Sequence, residues 1–221
     1  MATGSLFGDM QAQASFVHAT PLTEEFRPTW ISDFVGLEKQ KRVLSNLVKS
    51  PRCCALLFEG APGTGKSTMA MAFANELLAT IWHIGSQDCR VDRLSEIVTH
   101  CNYVPKAGLK GFHVVIVDEA DTMSDAAQKY LLSKLDSTGT VPNTIWIFTC
   151  NSSERLEERF QSRCLKLDFN SYGAASEITG LLSRIWKAKA PATAEEPNLK
   201  KLACGNVRES LQRLECALLS I

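Results

Sequence analysis

Residues Gly60 to Ser67 read Gly-Ala-Pro-Gly-Thr-Gly-Lys-Ser, and this run admits only a narrow set of folds. Backbone N–H groups can surround a polyphosphate only where no side chain blocks their approach, and Gly60, Gly63 and Gly65 remove that obstruction. Lys66 supplies a point charge for β- and γ-phosphates, and Ser67 offers a hydroxyl to Mg²⁺. Upstream, residues 54–58 form a short apolar run of strand type. Downstream, residues 67–78 are rich in Ala, Met and Leu and predict a helix, whose N-terminal dipole adds to anion binding. Strand, loop and helix in that order are the context that a phosphate loop requires.

From residue 53 onward, strand-like and helix-like segments alternate. Apolar runs at 54–58, 81–84, 113–117, 144–149 and 164–167 predict strands, and their near-continuous apolar character suits a parallel sheet covered on both faces. Helical patterns occupy 37–48, 67–78, 92–100 and 125–135, the last capped by Ser124, and a short helix is expected over 154–160. Residues 102–111 read as a loop. After Phe169 the strand signal stops, and 174–187, 199–203 and 207–219 predict helices. The chain divides on this reading into a flexible N-terminal arm (1–21), an α/β nucleotide-binding domain (22–169) and a small all-α lid (170–221).

The strand over 113–117 ends in Asp118 and Glu119. Ligand-binding groups gather at the carboxyl ends of strands in an open α/β sheet, which puts both carboxylates beside the phosphate loop. Asp118 would hold Mg²⁺ or its water together with Ser67, and Glu119 would activate the attacking water. Asn151 follows another buried strand and should face the same crevice, with its amide in reach of water and γ-phosphate. Arg208 stands in the first turn of the last helix, where its charge opposes the helix dipole, so a phosphate beyond the helix is its expected partner. Asn206 and Glu209 form a capping-box pair that sets where that helix begins.

Lys plus Arg and Asp plus Glu each number 24, so zero net charge offers no global field for nucleic acid or membrane, and any such surface must be a local patch. No Lys or Arg precedes Arg27 and no long apolar segment occurs, so neither a signal peptide nor a membrane span is expected, and the cytosol is the default location. The eight cysteines include no Cys-x-x-Cys pair and several fall in core-like runs, the pattern of reduced buried thiols. The scattered histidines give no metal-ligand spacing, leaving nucleotide-bound Mg²⁺ as the expected metal.

These elements in this order resemble the AAA+ ATPases, and within them the clamp-loader ATPase subunits of the replication factor C and DNA polymerase III type. Gly60, Ala61, Pro62, Gly63, Thr64, Gly65, Lys66 and Ser67, with Thr68 after them, match Walker A. Val117-Asp118-Glu119-Ala120-Asp121 matches Walker B in its Asp-Glu-Ala-Asp form, and Asn151 matches sensor 1. Arg27-Pro28-Thr29-Trp30 and Asp33-Phe34-Val35-Gly36 resemble the segment that holds adenine, with Arg27 and Val35 as its candidate contacts. Ser162-Arg163-Cys164 is similar to the clamp-loader signature whose Arg enters a neighbouring subunit's nucleotide site. Gly205-Asn206-Val207-Arg208 resembles sensor 2 on the lid.

The resemblance implies Mg²⁺-dependent ATP hydrolysis by Lys66, Glu119, Asn151 and, in trans, Arg163. It also implies other AAA+ subunits, a DNA sliding clamp and primer–template DNA as partners, with Arg90 and Arg93 facing the nucleic acid. Two departures stand beside it: the sequence ends with the lid at Ile221, without the family's helical collar, and it has no cysteine zinc module between the Walker motifs. A helicase loader, a recombination motor or a nucleotide-binding structural subunit are the alternative readings.

Overall fold

The protein is described as a computed structural model over residues 20–104, 110–136, 141–170, 175–191 and 193–221, so most of the expected N-terminal arm lies outside the described residues. In chain order the main elements are α1 (Leu22–Glu25), α2 (Glu38–Lys49), β1 (Cys54–Glu59), α3 (Lys66–Leu77), β2 (Thr80–Gly85), α4 (Val91–Cys101) and β3 (His113–Asp118). They continue with α5 (Asp125–Leu135), β4 (Thr144–Cys150), α6 (Glu158–Gln161), β5 (Leu165–Asp168), α7 (Ala175–Lys189), α8 (Leu199–Leu202) and α9 (Val207–Leu219). The five strands pair in parallel in the order β2-β3-β4-β1-β5. The expected parallel sheet between helices, followed by helices alone, is what the chain forms.

Period-two alternation along the strands sorts the core into two layers. Leu57, Val115, Val117, Trp146 and Phe148 face α4, α5 and α6, where Leu94, Ile97, Leu131 and Phe160 meet them. The intervening residues Leu56, Phe58, Val114, Ile116, Ile145 and Ile147 face α2 and α3, against Leu44, Met69, Phe73 and Leu77. Fully buried Phe58, Phe73 and Phe148 each stabilise the fold by about 1.5–3 kcal/mol through apolar burial. Ile178, Leu182, Ile185, Trp186, Leu211 and Leu214 form a separate helical cluster, and it takes in Leu22 and Phe26 from the N-terminal side.

Two local expectations need correction. The helix predicted over 154–160 is a single turn at Glu158–Gln161. The residues before it are pinned by polar tertiary bonds instead. The Ser153 N–H donates to Glu59 Oε1 at 2.8 Å, the Glu157 N–H donates to Gln128 Oε1 at 2.9 Å, and Gln161 Nε2 donates to the Ser153 and Leu156 carbonyls at 2.8 Å. Of the capping box at α9, only the Asn206 half forms, with its Oδ1 accepting the Glu209 N–H at 3.2 Å. Glu209 instead accepts from Arg213 one turn on, at 2.5 Å. The Ser124 cap of α5 is present, accepting the Ala127 N–H at 3.3 Å.

Candidate nucleotide site

The carboxyl ends of β1, β3 and β4 open toward one crevice, and the loop between β1 and α3 forms its floor. Gly63 and Gly65 hold φ of 79° and 91°, left-handed values that a side chain would strain by about 1–2 kcal/mol. Protein also crowds the loop from outside. A Cβ on Gly60 would stand 2.8 Å from the Cβ of Phe169, and one on Gly63 would stand 2.3 Å from Asn206 Oδ1. Gly60 and Gly63 therefore serve packing of the loop against Phe169 and Asn206.

Lys66 is buried, and its Nζ donates to the Gly60 carbonyl at 2.7 Å, the Ala61 carbonyl at 2.9 Å and Asn151 Oδ1 at 3.2 Å. Desolvation pushes this ammonium below the ordinary lysine range; Asp121 and Asp118 oppose the shift and Arg208 adds to it. Asn151 is thus tied to the loop from the neighbouring strand end. Its backbone N–H donates to Asp121 Oδ2 at 3.4 Å, while Asp121 Oδ1 is buried without a partner.

Asp118 gathers three donors. Ser67 Oγ donates to its Oδ1 at 2.6 Å, Thr149 Oγ1 donates to the same oxygen at 2.8 Å, and His83 Nε2 meets its Oδ2 at 2.5 Å. Burial alone would raise its pKa, but the bonds from Ser67, His83 and Thr149 outweigh that and hold the carboxyl below the usual range. Glu119 follows in a left-handed conformation (φ 53°), a strained state for a residue with a side chain. Its N–H donates to Thr149 Oγ1 at 3.2 Å, and its carbonyl accepts from Thr122 Oγ1 at 3.0 Å. This turn carries Glu119 into the lining of the crevice beside Lys66, Ser67, Thr149 and Asn151.

The hard oxygens of Ser67 and Asp118, in direct contact beside the loop, fit a small divalent cation such as Mg²⁺. Next to the crevice lies a cavity of about 190 Å³ between the α/β core and the helical segments. Phe34 and Val35 line it from one side, Leu181, Val207 and Leu211 from the other, and Arg27 and Arg208 border both hollows. A slot with apolar walls and polar groups at Thr23, Glu24 and Asp33, beside a crevice lined by Arg27, Lys66 and Arg208, suits a base attached to a polyphosphate. A larger hollow of about 490 Å³ beside Trp30 and Leu78 has no charged residue in its lining, so it offers nothing to a polyphosphate.

The structure therefore brings together Arg27, Val35, Gly60 to Thr68, Asp118, Glu119, Asn151 and Arg208. Arg163 is set apart from them. Its guanidinium clamps Asp136 at the end of α5, Nε to Oδ1 at 2.6 Å and Nη2 to Oδ2 at 3.1 Å, and Nη1 donates to the Arg159 carbonyl at 2.7 Å. Those hydrogen bonds hold the Asp136 carboxyl below its usual range. Arg90 and Arg93 lie on the surface at the start of α4, each beside an acidic neighbour, Asp92 at 3.7 Å and Glu96 at 2.6 Å. Sequence reasoning missed Thr149, His83 and the apolar wall of Leu181 and Leu211, while Phe34 lies in the segment it had expected beside the base. Thr149 had a signal available, being the residue of its strand two positions before Asn151.

The model of the ATPase family associated with various cellular activities (AAA) matches residues 56–171. The chain is a member of the AAA ATPase family. It is 30% identical over 203 residues to a replication factor C small subunit of Methanocella arvoryzae, covering 88% of this chain and 62% of that protein. A replication factor C small subunit 2 of Pyrobaculum islandicum is 35% identical over 164 residues, covering 72% of this chain and 51% of its own. The chain thus spans about three-fifths or less of the curated relatives named here. Among solved structures, the RuvB Holliday junction branch migration motor of Thermotoga maritima superposes with a TM-score of 0.68 at 21% identity, over 86% of this chain and 65% of its own. That likeness concerns the fold. The protein is an AAA ATPase related to replication factor C small subunits, and nucleotide binding belongs to its family.

Proposed function

We propose that this protein binds ATP with Mg²⁺ in the crevice, hydrolyses it, and works as a clamp-loader-like subunit that places a sliding clamp on DNA. The observation that carries the ATPase reading is the convergence of Lys66, Ser67, Asp118, Glu119, Asn151 and Arg208 on a single phosphate-sized crevice. Lys66 charges the β- and γ-phosphate side, and backbone N–H groups from Gly63 to Thr68 wrap the chain of phosphates. Ser67 and Asp118 hold Mg²⁺, which when bound neutralises phosphate charge. Glu119 takes a proton from the attacking water, and Asn151 orients that water against the γ-phosphate. Arg27 and Val35 border the slot for the base. Arg208 brings the lid onto the phosphates, so that nucleotide binding and lid position become one equilibrium.

Arg163 serves a neighbouring subunit in this reading, which agrees with its position outside the chain's own crevice. The partners are other AAA subunits, a sliding clamp and primer–template DNA, and the support for them is relationship to replication factor C small subunits. Mixing tests the arrangement. Arg163→Ala should lower ATP turnover by about a thousandfold, the scale of a finger arginine, with the fold unchanged. Adding Lys66→Ala, whose own site is disabled but whose finger is intact, should restore part of that turnover. If both variants assemble and no mixture recovers activity, Arg163 does not act in trans.

A further inference from the structure

Of the three donors to Asp118, His83 alone reaches its Oδ2, and the phosphate-loop chemistry does not call for it. Its place is set by strand register. On β2 it pairs with Ile116 of β3, so its side chain emerges on the same sheet face as Asp118, two residues further along that strand. Gly85, directly opposite Asp118, brings no side chain to compete for the carboxylate. The imidazole reaches diagonally across the two strands, a span that long side chains cover. It ends with Nε2 at 2.5 Å from Asp118 Oδ2. A carboxylate oxygen accepts, so the ring N–H is the donor in this pair.

The two carboxylate oxygens are thereby assigned different work. Oδ1 faces the interior, bonded by Ser67 and Thr149, and Oδ2 faces the half-exposed His83 at the edge of the sheet. Among the described residues no group of three or more His, Cys, Asp or Glu side chains could hold a metal ion. A cation beside Ser67 therefore depends on how one carboxylate is oriented, not on a ready-made acidic cluster. Without His83, only the two bonds at Oδ1 would hold that carboxylate, and Oδ2 would no longer resist its rotation about the Cβ–Cγ bond.

We infer that His83 is a positioning residue for the divalent-cation site: its N–H fixes Asp118 Oδ2 so that Oδ1 stays aimed at Ser67 and the metal. This rests on the reading of Ser67 and Asp118 as the cation site. Partners that orient metal-binding carboxylates are worth about 10- to 100-fold in metal affinity when removed. A glutamine at this position also presents an N–H donor on a side chain of similar reach, so it should preserve the effect.

The test is electron paramagnetic resonance of Mn²⁺ titrated into the full chain with ADP, a probe whose oxygen preference resembles that of Mg²⁺. Circular dichroism of each variant checks that the fold is kept. The expected result is ADP-dependent Mn²⁺ binding by the natural chain, weakened about tenfold or more in His83→Ala and restored to within about threefold in His83→Gln. Unchanged Mn²⁺ affinity in His83→Ala overturns the inference while leaving the cation site standing. Equal weakening in Ala and Gln variants also overturns it, because the effect would then come from packing of the ring. If the natural chain binds ADP but no Mn²⁺ with it, the assignment of Ser67 and Asp118 fails, and this inference fails with it.

Discussion

Asn206 makes two separable bonds, one capping α9 and one joining that helix to the loop between β1 and α3. Its Oδ1 caps α9 by accepting the Glu209 N–H at 3.2 Å, and its Nδ2 donates to the Pro62 carbonyl at 3.0 Å. Asn206→Ser keeps a capping oxygen but is too short to reach Pro62. Asn206→Ala loses both. A lost N-cap costs about 1 kcal/mol, and a lost partly exposed hydrogen bond costs about another 1 kcal/mol. Stability should then fall by about 1 kcal/mol in the Ser variant and by about 2 kcal/mol in the Ala variant. Nucleotide affinity should respond differently. The bridge to Pro62 is missing in both variants, so both should bind a fluorescent ADP analogue about fivefold more weakly. Urea unfolding and a fluorescence titration on the same samples give the two numbers. If the Ser variant binds like the natural chain, the bridge does not couple lid to loop; if it is as unstable as the Ala variant, the cap assignment is wrong.

Two further predictions follow from thiols and surface charge. Burial pushes Cys54, Cys89 and Cys101 from the ordinary value of 9.0 up to about 11, and Cys150 and Cys164 up to about 12. The unfolded chain ionises these groups first, so the contribution is complete below pH 9.0 and lost as pH rises through the folded values. Each thiol then removes up to about 1.4 kcal/mol per pH unit, and urea midpoints that stay level from about pH 8 to about pH 10 would contradict this. On the proposed clamp-loader reading, zero net charge means that any primer–template binding should need ATP and assembly, ignore base sequence and weaken steeply with salt. Arg90→Ala with Arg93→Ala should lower DNA affinity and leave ATP binding intact; tight binding by a monomer with ADP would refute the patch.

The parallel sheet was legible because its central strands β1, β3 and β4 are apolar on both faces, and the loop because eight residues carry its whole chemistry. Asp118, Glu119 and Asn151 could be placed for a similar reason, since each directly follows a strand whose end must face the ligand. What sequence could not reveal depends on neighbours distant along the chain. His83 reaches Asp118 only through the β2–β3 register, a relation that residue spacing does not encode. Gly63 looked like a concession to phosphate, yet the side chain of Asn206, far along the chain, occupies the space beside it. The helix over 154–160 failed where Gln128 takes up the Glu157 N–H and Glu59 that of Ser153 just before it, and local propensity contains no record of either.

Calorimetric titration of ATP with Mg²⁺ into Glu119→Gln and Lys66→Ala examines the site itself. In the proposed mechanism Glu119 acts on water and Lys66 on phosphate, so Glu119→Gln should bind one ATP per chain with affinity within about threefold of the natural protein and scarcely turn it over. Removing the buried charged donor of Lys66 should weaken binding by more than about tenfold. Equal loss of affinity in both variants, or undiminished binding in Lys66→Ala, would contradict the assignment of this crevice as the ATP site.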